Sequence, residues 1–427
     1  MRTTPIATAV SATALALAPV ALATPALAST PETTPAHSAA YLATQLAATD
    51  GVLQVEAGGQ TYDDWGVTID AVLAIQSTRT ADTQAAASAQ RVLDNAGSYT
   101  GSGYGDLYAG STGKLLVLTA SRGLPTTVGG TDYLAGLQGL EQENGHFADQ
   151  SAYGDYSNSL SQSFALIGLK RNGVNPSTAS VGFLLEQQCA DGGFSLEYKD
   201  GCISDPDATS VAVQALTAVG GQDAAIGRAA DYLVTQQGAH GGVNGGTTTE
   251  GPNANSTGLA AVALRLAGRT DALASARGYL ASVTFGCEHT HLAAGIAYDV
   301  SSFGSAATDA PANDHVNRTT AQAVIGLTDV SYLDVSSQGA SGAAVALECD
   351  DEPTAPTATP TPTMSDDDST PTATPSTTTA EPKIPAEVRT DSYQGSPATL
   401  VAGLVALVSV LAGGLVLAVR REGGAHR

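Results

Sequence analysis

Aromatic rings are scarce in this chain of 427 residues, which has one Trp and six Phe. An interior walled chiefly by aromatic faces, of the kind that holds a cation against ring electrons, is therefore not expected. Bases are scarce as well: 18 Lys and Arg stand against 41 Asp and Glu, for a net charge of −23. A surface so acidic repels nucleic acid and long polyanions, so neither is expected as a partner. There are only four cysteines. The nucleophile elbow GxSxG, the P-loop and the HExxH zinc helix are all missing, which removes the usual signatures of serine hydrolase, nucleotide and metalloprotease chemistry.

What the chain has is repetition. The stretch Gln187 to Leu216 joins the end of one helix, a Gly-rich turn at Asp191-Gly192-Gly193 and the start of a second helix at Asp205, Asp207 and Thr209. Glycines let the chain leave the first helix at positive φ, and Asp and Thr are good capping residues for the second. The unit recurs, with aligned helix starts at Thr68, Ser111, Gln162, Thr209, Thr257 and Thr320. The ends of the preceding helices carry Tyr41-Leu42, Val92-Leu93, Tyr133-Leu134, Phe183-Leu184, Tyr232-Leu233 and Tyr279-Leu280. Six helical hairpins thus account for His37 to about Asp329, at a period longer than that of the tetratricopeptide or ankyrin repeat.

The pieces Gln187-Gln188 through Gly192-Gly193-Phe194, Gln236-Gln237 through Gly241-Gly242-Val243, and Glu141 through Gly145-His146-Phe147 resemble the prenyltransferase and squalene-cyclase repeat. The resemblance implies an all-α fold, an α6-α6 toroid with six inner and six outer helices and every inner N-terminus at one mouth. It does not settle an activity, because terpenoid cyclases, protein prenyltransferase β-subunits, complement thioester domains and cobalamin carriers share that frame.

The two ends of the chain differ from this middle. Residues 1–28 read as a secretory signal peptide, with Arg2, an apolar run and the cleavage site Ala26-Leu27-Ala28. Ala398 to Val419 carries no charge over 22 residues and is followed by Arg420-Arg421, the pattern of a transmembrane helix with a cytoplasmic tail at 420–427. The acidic Thr/Pro-rich linker 350–397 has too little apolar surface to fold and reads as a stalk. The toroid, residues 29–349, is then expected on the outer face of the plasma membrane. In an exported chain four cysteines read as two disulfides. Sequence alone allows three pairings. We pair Cys189 with Cys202, which bracket one Gly-rich turn, and Cys287 with Cys349, which ties residues 330–349 to the last repeat.

In a toroid the connectors into the inner helices gather at one rim. Those of this chain bring Asp63, Asp64 and Trp65; Asp106 and Tyr108; Asp155, Tyr156 and Asn158; Asp205 and Asp207; Asn253 and Asn255; and Asp314, His315 and Asn317. Singly, each is what a helix N-cap prefers. Together, Asp64, Trp65, Tyr108, Tyr156, Asn158, Asp205, Asp207, Asn255, His315 and Asn317 are the mixture expected of a site for an amphipathic organic ligand.

Three motifs bear on catalysis. Asp205-Pro206-Asp207-Ala208-Thr209 is similar to the DxDDT acid motif of class II terpenoid cyclases, but Ala208 stands where that motif has the proton donor. Lys199-Asp200-Gly201-Cys202 resembles the zinc segment of prenyltransferase β-subunits, yet Asn255 replaces the third ligand, His. Gly286-Cys287-Glu288-His289 resembles the thioester segment of complement-type toroids without its Gln. We therefore expect no catalytic residue, no metal and no cofactor. The leading reading is a non-catalytic surface module that holds a small molecule, a corrinoid by similarity to cobalamin carriers, with a separate partner protein closing the cavity. The alternatives are an exported cyclase or prenyltransferase-like enzyme using Asp205 and Asp207, and a structural or adhesive surface protein.

Overall fold

A computed structural model describes residues 33–198, 201–247, 249 and 251–349. The signal, linker and membrane-span expectations, and Lys199 and Asp200, lie outside the described residues. Among those described, no helix is long and apolar enough to cross a membrane.

Among the described residues twelve helices come in six pairs: α1 (Pro35–Ala48) with α2 (Trp65–Thr78), α3 (Asp82–Asp94) with α4 (Ala109–Arg122), α5 (Tyr133–Gly139) with α6 (Ser159–Arg171), α7 (Thr178–Glu186) with α8 (Pro206–Val219), α9 (Asp223–Thr235) with α10 (Ala254–Leu266), and α11 (Thr270–Ser282) with α12 (Asp314–Leu327). The connectors hold two short helices, Ala96–Thr100 and Val300–Ser305, and three small antiparallel hairpins.

The sequence decides which helix of each pair goes inside. The second members are apolar or small on all sides, and α2 buries every residue from Val67 to Ser77, α6 from Ser159 to Leu169, and α10 from Ala254 to Leu264. A helix buried all round has neighbours on every face. The first members are one-sided: α3 buries only Ala85, Ser88, Ala89 and Val92, and α11 only Ala276, Tyr279 and Leu280. The six inner helices pack in succession, and α12 returns to α2. Arg318 Nη2 lies 2.6 Å from Asp64 Oδ2 across that closure, and Tyr41 OH donates to Asn317 Oδ1 at 2.8 Å. The helix-rich ring expected from the repeat is present. Its tightest contacts use glycine: a Cβ on Gly113 would sit 2.6 Å from the Phe164 carbonyl, so α4 and α6 meet backbone to backbone.

The repeat motif has a mechanical meaning. In five repeats the aligned residue accepts from a buried connector amide: Leu53 N to Thr68 Oγ1 at 3.0 Å, Phe147 N to Gln162 Oε1 at 3.0 Å, Phe194 N to Thr209 Oγ1 at 2.8 Å, Val243 N to Thr257 Oγ1 at 2.8 Å, and Ile296 N to Thr320 Oγ1 at 2.9 Å. The second repeat shifts by one, because Thr112 and not Ser111 stands in the place beyond its cap, Tyr108, that Thr68 and Thr209 occupy beyond Asp64 and Asp205. The turn glycines seat each connector on the next outer helix. Gly192 has φ +97°, and a Cβ there would lie 2.5 Å from the Arg228 carbonyl oxygen. Gln188 Nε2 closes the same joint by donating to the carbonyls of Gly192 and Ala225, both at 2.9 Å.

Residues 330–349 cross the mouth where the inner helices end. Arg171 donates to the carbonyls of Tyr332 (3.0 Å) and Val335 (2.7 Å), and Ser337 N to Ser121 O (2.9 Å). Ser341 N donates to Arg79 O (2.9 Å). The segment caps the ring. Both disulfides pair as expected, Cys189 with Cys202 and Cys287 with Cys349, at Cα separations of 5.5 and 5.3 Å.

Candidate functional site at the inner-helix rim

The connectors into the inner helices do meet at one mouth, because each start is bonded to its neighbour. Ala109 N donates to Asp149 Oδ1 (2.8 Å), Ser159 N to Leu196 O (3.0 Å), Thr247 N to Asp205 Oδ2 (2.9 Å) and Ala254 N to Tyr298 O (2.7 Å). The Arg318–Asp64 pair joins the last start to the first.

Capping accounts for several of the expected ligand residues. Asp64 accepts from Val67 N at 2.9 Å, Asn158 from Leu160 N (3.0 Å) and Ser161 N (3.1 Å), and Asp205 from Ala208 N (2.9 Å). Trp65 is half-buried against the core. Tyr108 is buried, with its hydroxyl 3.3 Å from Asp106 Oδ2. Asn317 is taken by Tyr41. Asp207 lies buried in the first turn of α8, whereas Tyr156 and His315 are exposed. Asn255 is fully buried, and its amide donates to Gln322 Oε1. Asn253 is the cap of this helix, and Asn255 lies two positions further on.

Asp205 is a perturbed acid at the rim. Burial pushes its carboxyl above the usual aspartate range, and the backbone amides of Ala208 and Thr247 pull it part of the way back. The 245–247 backbone lies directly over it, so close that a Cβ on Gly246 would overlap Asp205 Oδ2. The acid is covered as well as capped.

Chemistry on the axis was not legible as a site. Asn255 bonds Gln322, Gln322 Nε2 donates to Asp70 Oδ2 (3.3 Å), and Lys114 Nζ lies 2.6 Å from Asp70 Oδ1. Lys114 Nζ also sits 5.6 Å from the centre of the Phe164 ring. That ring is 5.4 Å from Tyr332, whose amide donates to Gln214 Oε1 at 3.0 Å. This chain of contacts touches all six inner helices and the cap, and each of its members is buried. The signal available in the sequence was a charge at mid-helix in an apolar run, Asp70 in VTIDAVLAI and Lys114 in GKLLVLTA.

Large side chains are among what the rim offers to solvent. Tyr104 (42% exposed), Tyr153 (65%), Tyr156 (56%) and Ile203 (67%) project from the connectors of three neighbouring repeats. Those connectors are fixed: Leu107 and Gln150 exchange backbone bonds at 2.7 and 2.9 Å, Asp106 Oδ1 accepts from Ala152 N (3.1 Å), and Asp155 Oδ1 from Asp149 N (2.9 Å). His146 stacks on Phe183 with ring centres 4.7 Å apart. An open groove of about 320 Å³ lies elsewhere, lined by Thr217, Ile226, Leu266 and Arg269 at the other end of the inner helices.

The zinc and thioester resemblances do not survive the geometry. Cys202 and Cys287 are both in disulfides. His289 is buried against Phe285 with Glu288 beside its Nδ1. Among the described residues no three His, Cys, Asp or Glu side chains converge as a metal site.

No family model matches the sequence, and no curated protein matches it. Solved structures do match. The type II terpene cyclase MstE from Scytonema, in its apo form, is 16% identical, with 69% of this chain and 96% of that chain covered and a TM-score of 0.51. A variant of MstE in complex with its substrate, geranylgeranyl dihydroxybenzoate, is 15% identical over 69% of this chain and 96% of that one, with a TM-score of 0.50. A protein from Actinoplanes is 17% identical over 69% and 99%, with a TM-score of 0.48. At these identities the likeness is one of fold: the chain has a terpenoid-cyclase-like helical ring, and the similarity to cobalamin carriers gains no support from these matches.

Proposed function

We propose that this chain is an exported protein, displayed through a Thr/Pro stalk and a C-terminal membrane helix, whose ring binds its ligand on the rim and performs no chemistry on it. One observation carries the reading: the ring axis is filled from α2 round to α12 by buried side chains, while the rings of Tyr104, Tyr153 and Tyr156 are exposed on the connectors at the mouth. A cyclase must enclose a folded polyprenoid away from water, and a filled axis has no room for one. A flat amphipathic ligand can instead lie across tyrosines, which present wide rigid faces with polar tips. The two disulfides suit the oxidising compartment that export implies.

A corrinoid remains the ligand class we put first. Titration of the secreted ectodomain with cobinamide and cobalamin tests it: a calorimetric signal that weakens in Tyr153→Ser and Tyr156→Ser supports the rim site, and silence from both corrinoids at micromolar concentration retires that ligand. The enzyme reading keeps one favourable observation, the covered Asp205 carboxyl held toward its protonated form at the head of an inner helix. Incubation with squalene and geranylgeranyl diphosphate should return both unchanged, and any cyclised product would overturn the non-catalytic reading.

A further inference from the structure

The Asp70–Lys114 pair is unusual in its burial: the side chains are 2% and 1% exposed, with Nζ 2.6 Å from Oδ1. Surface ion pairs keep their water, but a dry pair must bear the desolvation of both charges, and an arrangement that removes the charges relieves that cost. Apart from this Nζ, nothing else among the described residues bonds Oδ1, so the amine and the carboxyl are held in direct contact with each other. Oδ2 is separately held by the Gln322 amide, at 3.3 Å. Phe164 and the buried phenols of Tyr99 and Tyr332 close the surroundings. Burial pushes the Asp70 carboxyl above its usual range, although Lys114 pulls it down.

The geometry points to an intramolecular isopeptide bond between the Asp70 carboxyl and the Lys114 amine, tying α2 to α4 inside the ring. One proton passes from Nζ to Oδ1 and gives a neutral amine beside a neutral acid. The Nζ lone pair then forms a bond to Cγ, while the Gln322 N–H supports the negative charge that develops on Oδ2. The Cγ–Oδ1 bond breaks, and Oδ1 leaves as water with the acid's proton and one more from Nζ. Nζ keeps its last hydrogen as an amide N–H. No oxidant, cofactor or second protein is needed. Fixed contact in a buried site supplies the proximity that such a condensation requires. The product leaves no charge at this place in the core.

The test is mass spectrometry of the wild-type ectodomain after denaturation, reduction and trypsin digestion. The expected result is a branched fragment in which the Lys114 segment is joined to the Asp70 segment, uncut after Lys114 and lighter by about 18 Da, one water, than the two separate peptides. A linear fragment ending at Lys114 as the only form overturns the proposal, as does complete acetylation of Lys114 in the denatured protein. Asp70→Ala supplies the unlinked reference, but the wild-type digest decides the matter whether or not that variant folds. Asp70→Asn should give the same cross-link, with ammonia leaving in place of water.

Discussion

The axis of the ring and its rim use similar residues to opposite ends. On the axis Asp70, Lys114, Asn255 and Gln322 are buried and answer one another, so polar chemistry there is spent on holding six helices in register. At the rim Asp64, Asn158 and Asp205 answer the backbone of their own helices, and Tyr153 and Tyr156 are left to solvent. The difference teaches that polarity in a toroid of this kind does not mark a cavity. A buried polar interior whose members lean on one another specifies one packing, whereas exposed rings on fixed connectors make a surface available to something else.

Four changes would break or sharpen that contrast. Lys114→Met should be the most damaging, because it leaves Asp70 buried without the partner it has in the wild type: a loss of about 3–5 kcal/mol in chemical unfolding. Opening the Cys287–Cys349 bridge with paired serines should cost about 2–4 kcal/mol, since it frees the segment that caps the ring, and hydrogen exchange should rise at Tyr332 and Val335. Asp205→Asn should act through pH. A carboxyl whose folded value is raised contributes fully below the ordinary aspartate range, and that contribution is lost as pH rises through the folded value. Unfolding of the Asn variant should therefore lose less stability than wild type between acidic and neutral pH, while the capping bond to Ala208 N persists. Tyr156→Ser should be the mildest for the fold, within about 0.5 kcal/mol by thermal unfolding, and should weaken rim binding all the same.

Much of the ring could be read from the chain. Thr68, Gln162, Thr209, Thr257 and Thr320 align because each holds a connector amide, and that local bond leaves a periodic trace. The same is true of Gly192 and Gln188, whose roles reach only as far as the next outer helix. The cysteine pairs were also legible, because Cys189 and Cys202 bracket a single turn. The site was less so. Asn255 lies two positions beyond the cap Asn253, and its partner Gln322 is on another helix.

Sequence by itself determined that six helical hairpins would recur, because Gly-rich turns and capped helix starts are local features that leave a periodic trace. Only the tertiary structure decided that Asp70 meets Lys114, that Asn255 meets Gln322 and that Tyr332 closes over Phe164. These partners lie on different helices, and only the closure of the ring sets the distances between them.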